Sequence, residues 1–203
     1  MSARTAMPAS ETGVEGNSRL TASTGMVLTA LLLVEGFTVL NVRGYITLHT
    51  FIGLALIGPL ALKCATTMYR FGRYYTNKPS YVRRGAPAPL LRVIGPLVVL
   101  SSVAVVGTGV VLLADHGRSG LWIMLHKGSF VVWIVLTGVH FLGHILQAVR
   151  DTVRDLGGST RDPARRHRTL RMLTVAASLA VGLAIVAVLT PNAAVWHIAH
   201  HHG

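Results

Sequence analysis

Charge is scarce in this chain, and acidic charge is scarcest. Only 13% of its 203 residues are Asp, Glu, Lys or Arg, and seven of them are acidic. A soluble domain carries roughly twice that charged fraction, so a water-facing globular fold is excluded. The single cysteine, Cys64, excludes an internal disulfide and a cysteine-ligated iron–sulfur cluster. No G-x-G-x-x-G stands in a strand–helix setting, which removes the usual dinucleotide fingerprint. No cleavable signal peptide is expected, and no internal repeat stands out.

What the chain does have is long apolar runs. It is 51% hydrophobic, with a mean hydropathy of +0.54. Five segments approach membrane-spanning length: about 20–40, interrupted by Glu35; 45–69; 89–114, with a Gly95-Pro96 pair expected to kink it; 121–149; and 172–189, stopped by Pro191. The expected fold is all-α, an integral membrane bundle of five transmembrane helices. Residues 1–19 read as a polar, disordered cytoplasmic N-terminus. Residues 20–190 read as the transmembrane domain, and 191–203 as a His-rich outer tail.

The net charge of +12 has a topological explanation. The connection from Lys63 to Arg92 holds Lys63, Arg70, Arg73, Lys78, Arg83, Arg84 and Arg92 with no acid. The connection from Arg150 to Arg171 holds seven arginines against Asp151, Asp155 and Asp162. The other two connections carry only Arg43, and Asp115 with Arg118. By the positive-inside rule the basic loops are cytoplasmic, the N-terminus is inside and the C-terminus outside. Tyr69, Tyr74, Tyr75 and Tyr81 suit an interfacial belt at the inner face. No nucleic-acid partner is needed to account for the charge.

Histidines inside apolar runs are the chemically informative feature, because ionisable residues in a membrane are costly and usually functional. His126, His140 and His144 lie on the fourth segment. His126 and His140 fall about 40° apart around a helix and about 21 Å apart along it. His49 lies near the outer start of the second segment, and His126 near the outer start of the fourth. Both are therefore at similar depth. Two imidazoles at one depth on facing helices form the axial pair that haem iron takes. Gly53, Gly107, Gly109 and Gly128 are expected to give the macrocycle room. Glu35, near the same depth, is placed to accept a hydrogen bond from a ligand's free ring N–H, to relay protons, or only to bond a neighbouring helix. His140 and His144 mark an inner haem, propionate or quinone site, or simple packing. His116 and His167 fall in loops. The tail residues His197, His200, His201 and His202 are left unassigned.

The motifs LHTFIG in the second segment and LHKGSFVVW with HFLGH in the fourth resemble the membrane-bound b-type cytochromes. These are the cytochrome b subunits of hydrogenases, formate dehydrogenases and respiratory reductases. The likeness covers about residues 45–147. It also resembles actinobacterial membrane proteins of this size, which implies no function of its own. The family resemblance implies four or five helices around one or two haems b held by histidine pairs. Di-haem members often carry two histidines 14 apart on one helix, as His126 and His140 are. The chain departs from that pattern at Lys63, which stands 14 residues after His49 where a second ligand belongs. A protonated lysine cannot ligate iron. Lys63 is expected to snorkel toward the inner headgroups or to meet a propionate, and one haem per chain is expected.

The function these features imply is electron transfer in a bacterial plasma membrane. The chain would relay electrons between the quinone pool and a partner redox protein, as a respiratory oxidoreductase subunit rather than a stand-alone enzyme. The competing readings are a non-haem membrane anchor or assembly subunit, and a metal-handling membrane protein.

Overall fold

A computed structural model describes residues 9–83, 89–157 and 167–199. In chain order the helices are α1 (Ala9–Val39), α2 (Val42–Ala55), α3 (Ile57–Tyr75), α4 (Pro79–Val82), α5 (Pro89–Ala114), α6 (Gly120–Gly157) and α7 (Arg168–Ala199). There is no strand among the described residues. Five stretches are long and apolar enough to cross a membrane: Gly13–Val39, Ile46–Tyr75, Arg92–Ala114, Gly120–Leu146 and Arg168–Leu189. The second of them comprises α2 and α3 as one span. A helix satisfies every backbone polar group within its own segment, which hydrocarbon requires.

Short, specific turns set neighbouring helices antiparallel. Between α1 and α2 the chain reverses within Leu40 and Asn41, and the Asn41 side chain caps α2 by accepting the Gly44 N–H at 3.1 Å. At the end of α5, His116 (φ 55°) and Gly117 (φ 65°) adopt the left-handed conformation. The Gly117 N–H then reaches back to the Leu112 carbonyl at 3.0 Å, a Schellman-type closure. Asn77 (φ 54°) ends α3 in the same way, with the Lys78 N–H on the Arg73 carbonyl at 3.2 Å.

Helix α6 packs against α5 and α1, while α2 and α3 pack against α1 and α7. The α2–α3 span meets α7 at a close crossing of small residues. A Cβ on Gly58 would collide with the Ser178 carbonyl, and one on Gly182 with the Ala55 carbonyl. Only glycine lets the two backbones approach this far. Pro59 lies beside this crossing and is fully buried. It has no N–H to offer the Ala55 carbonyl one turn back, and the helix is interrupted at Leu56.

Several boundaries differ from those read in the sequence. Residues 9–19, expected within a disordered terminus, are helical, and Val14, Ser18 and Arg19 are buried. Helix α6 runs past 149 to Gly157, and α7 runs through Pro191 to Ala199. Side-chain pairing explains the first two extensions. The Ser18 hydroxyl donates to Asp151 at 3.3 Å, Arg19 bonds Glu15 at 3.0 Å, and Gly16 abuts the Arg171 guanidinium. Hydropathy measures only the apolar part of a helix, so polar turns docked on one another escape it. The kink expected at Gly95-Pro96 is not found as a break, since α5 continues through Pro96.

Candidate functional site

The bundle forms a partly open cavity of about 1000 Å³, lined from α1, α2, α3, α5 and α6. No described residue of α7 lines it. Both histidine pairs of the sequence open onto this one space.

At one end stand His49 and His126. The α1–α2 turn folds the end of α1 back over α2, so Glu35 and Thr38 meet His49. Its Nδ1 lies 2.9 Å from Glu35 Oε1 and 3.1 Å from Thr38 Oγ1. The Thr38 hydroxyl donates its own proton to the Glu35 carbonyl at 2.6 Å, leaving its oxygen to accept. Across the cavity His126 repeats the pattern against α5. Its Nδ1 lies 3.0 Å from the Val105 carbonyl and 3.1 Å from Thr108 Oγ1, whose hydroxyl donates to the Ala104 carbonyl at 2.7 Å. A carbonyl can only accept, so the His126 proton sits on Nδ1. The same assignment follows for His49 beside a carboxylate. In each ring Nε2 then carries a bare lone pair, and no hydrogen bond among the described residues engages it. This is how metal-ligating histidines are held: one nitrogen fixed by an acceptor, the other free to coordinate. The two ring centres are 6.3 Å apart, with their planes at 78°.

Of the four glycines expected to make room, Gly53 and Gly109 line the cavity. A Cβ on Gly109 would press on His126 Cε1 at 3.1 Å, and one on Gly53 would touch Glu35 Oε1 at 3.5 Å. Gly107 and Gly128 do not contribute: both are exposed and neither faces a neighbour within 4 Å. Residues two apart on a helix differ by about 200°. Gly107 therefore points away when Gly109 points in, and Gly128 points away when His126 points in.

At the other end lie His140 and His144, ring centres 4.8 Å apart on one face of α6. Lys63 joins them on the cavity wall. Its ammonium does not snorkel outward but donates to the Thr21 carbonyl of α1 at 2.8 Å. Gly25, one turn along α1, leaves it room, since a Cβ there would stand 2.9 Å from Nζ. Between the two ends Trp133 lines the cavity and donates from Nε1 to Ser102 at 2.9 Å.

His116 sits in the α5–α6 turn and His167 is exposed just before α7. Residues 200–202 of the tail lie outside the described residues, and so does the side chain of His197. No cluster of three or more His, Cys, Asp or Glu able to hold a metal ion occurs among the described residues. Thr38, Thr108 and the Val105 carbonyl were not legible as site groups. Threonines bond to their own helix throughout membrane spans, and nothing local distinguishes these two. No family model matches the chain, and neither a curated protein nor a solved structure matches it.

Proposed function

We propose that the His49–His126 end of the cavity holds one haem b and that the protein transfers electrons within the membrane. The observation that carries this is the spacing of the two rings. His49 and His126 would hold the iron through their free Nε2 atoms, and two imidazoles sharing one metal ion, with metal–nitrogen bonds of about 2 Å, would need ring centres about 6 Å apart. The measured separation is 6.3 Å. The donor chemistry agrees, because both Nδ1 atoms are committed to acceptors and both Nε2 atoms are free. So does the room: the cavity is apolar over most of its wall, and Gly53 and Gly109 keep side chains out of it.

Bound there, haem supplies a one-electron couple. The chain's own residues would do the rest. Glu35 and the Val105 carbonyl orient the two imidazoles and strengthen them as donors. Arg43 and Lys127 line the cavity near the same end and offer cationic partners to propionates. The apolar walls exclude water. A membrane quinone and a partner redox protein are the proposed exchange partners, in a bacterial plasma membrane, with the protein acting as a subunit or relay.

The test is a reduced-minus-oxidised spectrum of the purified protein with pyridine haemochrome quantitation. A b-type spectrum is expected, and it should vanish in His49→Ala and in His126→Ala but persist in His116→Ala and His167→Ala. Full haem content in His49→Ala, with an unchanged spectrum, would overturn the pairing.

A further inference from the structure

The Lys63 end of the cavity has chemistry opposite to the His49 end. His140 Nδ1 is buried and has no hydrogen-bond partner among the described residues. An orphaned N–H is costlier and rarer than an under-used acceptor, so the favoured tautomer leaves Nδ1 bare and places the proton on Nε2. The ring lines the cavity and then carries an N–H donor on Nε2, where His126 carries a bare Nε2. Lys63 adds further N–H groups beyond the one spent on Thr21. The charged side chains acting on His140 and His144 are those of Lys63 and Arg70, both cationic. Donors and positive charge converge here, and the adjoining walls are apolar.

A ligand between His49 and His126 does not account for this cluster. His126 and His140 are about 21 Å apart along α6, beyond the reach of a porphyrin and its propionates from the iron. Metal binding does not account for it either. A cation would be repelled by Lys63, and the available ring nitrogen carries a proton.

The geometry points to a second binding site, formed by Lys63, His140 and His144, for the anionic oxygen headgroup of an apolar molecule whose tail lies along the cavity toward Trp133. The headgroup chemistry is carboxylate or phosphate, each able to take several N–H donors at once. A long apolar tail suits the cavity walls, and Gly25 keeps the ammonium free to turn toward the headgroup.

Trp133 supplies a local reporter, about 10 Å along α6 from His140. In a Trp122→Phe, Trp196→Phe background it is the sole indole of the chain's three tryptophans. The full chain is titrated with dibromostearate, brominated phosphatidate and dibromostearyl alcohol, and Trp133 quenching is followed. At least one anionic probe should quench at concentrations well below the alcohol. Selectivity for stearate identifies a free carboxylate as the ligand group, and selectivity for phosphatidate a lipid phosphate. Lys63→Gln should weaken anion binding roughly tenfold or more, as loss of a charge-assisted hydrogen bond does. Lys63→Arg should retain it, and His140→Phe, which keeps the ring and loses the donor, should weaken it. Equal quenching by alcohol and acids, or unchanged acid binding in Lys63→Gln, would sink the proposal. Repeating the titration in His49→Ala separates the two sites, because loss of haem leaves this binding intact.

Discussion

At the level of single residues, what distinguishes His49 and His126 from His140 is the partner of Nδ1. For His49 and His126 it is an acceptor, and for His140 it is nothing. That difference assigns the protons, and the protons assign the chemistry. On the haem proposal, Glu35→Gln should weaken haem retention by roughly 10- to 100-fold without abolishing it, the usual cost of losing a group that orients a metal ligand. The rate of haem transfer to an apo-globin acceptor would measure this, and a rate equal to wild type would remove Glu35 from the site. Outside the spans, burial and the neighbouring Tyr69 push the Tyr81 phenol above its ordinary value of 10. The folded state holds that proton more tightly than the unfolded chain does. The associated stability is present below pH 10 and is lost as pH rises through the raised value. Ultraviolet titration should show a late-ionising tyrosine that disappears in Tyr81→Phe.

At the level of elements, the molecule depends on two kinds of close approach. The reversal at Leu40–Asn41 brings α1 onto α2 and so creates the Glu35–Thr38–His49 contact. The crossing at Gly58 and Gly182 seats α7 against the α2–α3 span, with a carbonyl where each Cβ would be. Gly58→Ala and Gly182→Ala should each cost about 1–3 kcal/mol, the range for overpacking a tight contact, read as a lowered midpoint of unfolding in mixed micelles. Gly107→Ala and Gly128→Ala, whose added methyl meets nothing, should be neutral or slightly stabilising through helix propensity. Equal losses at all four positions would show that the crossing is not specially tight.

At the level of the whole molecule, four helical columns surround the cavity and α7 packs outside them, chiefly against the α2–α3 span. By the positive-inside rule, the Lys and Arg of the connections predict a cytoplasmic Lys63 end of the cavity and an outward His49 end. Cysteine labelling in a Cys64→Ser background should find position 78 accessible only from the cytoplasm and position 118 only from outside. The reverse pattern would invert the site with respect to the membrane. One haem per chain is proposed, because His140 and His144 share one face of α6 and, among the described residues, no histidine of another helix joins them at that end of the cavity. Lys63 stands at that end of the cavity and is bonded to α1. Two haems per polypeptide by haemochrome and protein assay would refute this.

The sequence by itself determined the five spans, their chain order and the depth agreement of His49 with His126. These depend on apolar length and helical rise, both local properties of a chain in hydrocarbon. It also isolated Glu35 and Lys63 as the anomalous residues. Tertiary structure decided how each helix is turned about its own axis and which helices become neighbours. Those choices made Gly53 and Gly109 part of the cavity wall and turned Gly107 and Gly128 outward. They brought Thr108 and the Val105 carbonyl to His126, and drew Lys63 inward to Thr21 instead of outward to the headgroups. They also joined two histidine pairs into one continuous cavity. Helix rotation is set by packing between residues far apart in the chain, such as the Gly58–Ser178 and Ala55–Gly182 contacts. A periodicity of 3.6 residues specifies the angle between two positions on one helix, and the zero of that angle comes only from the neighbours.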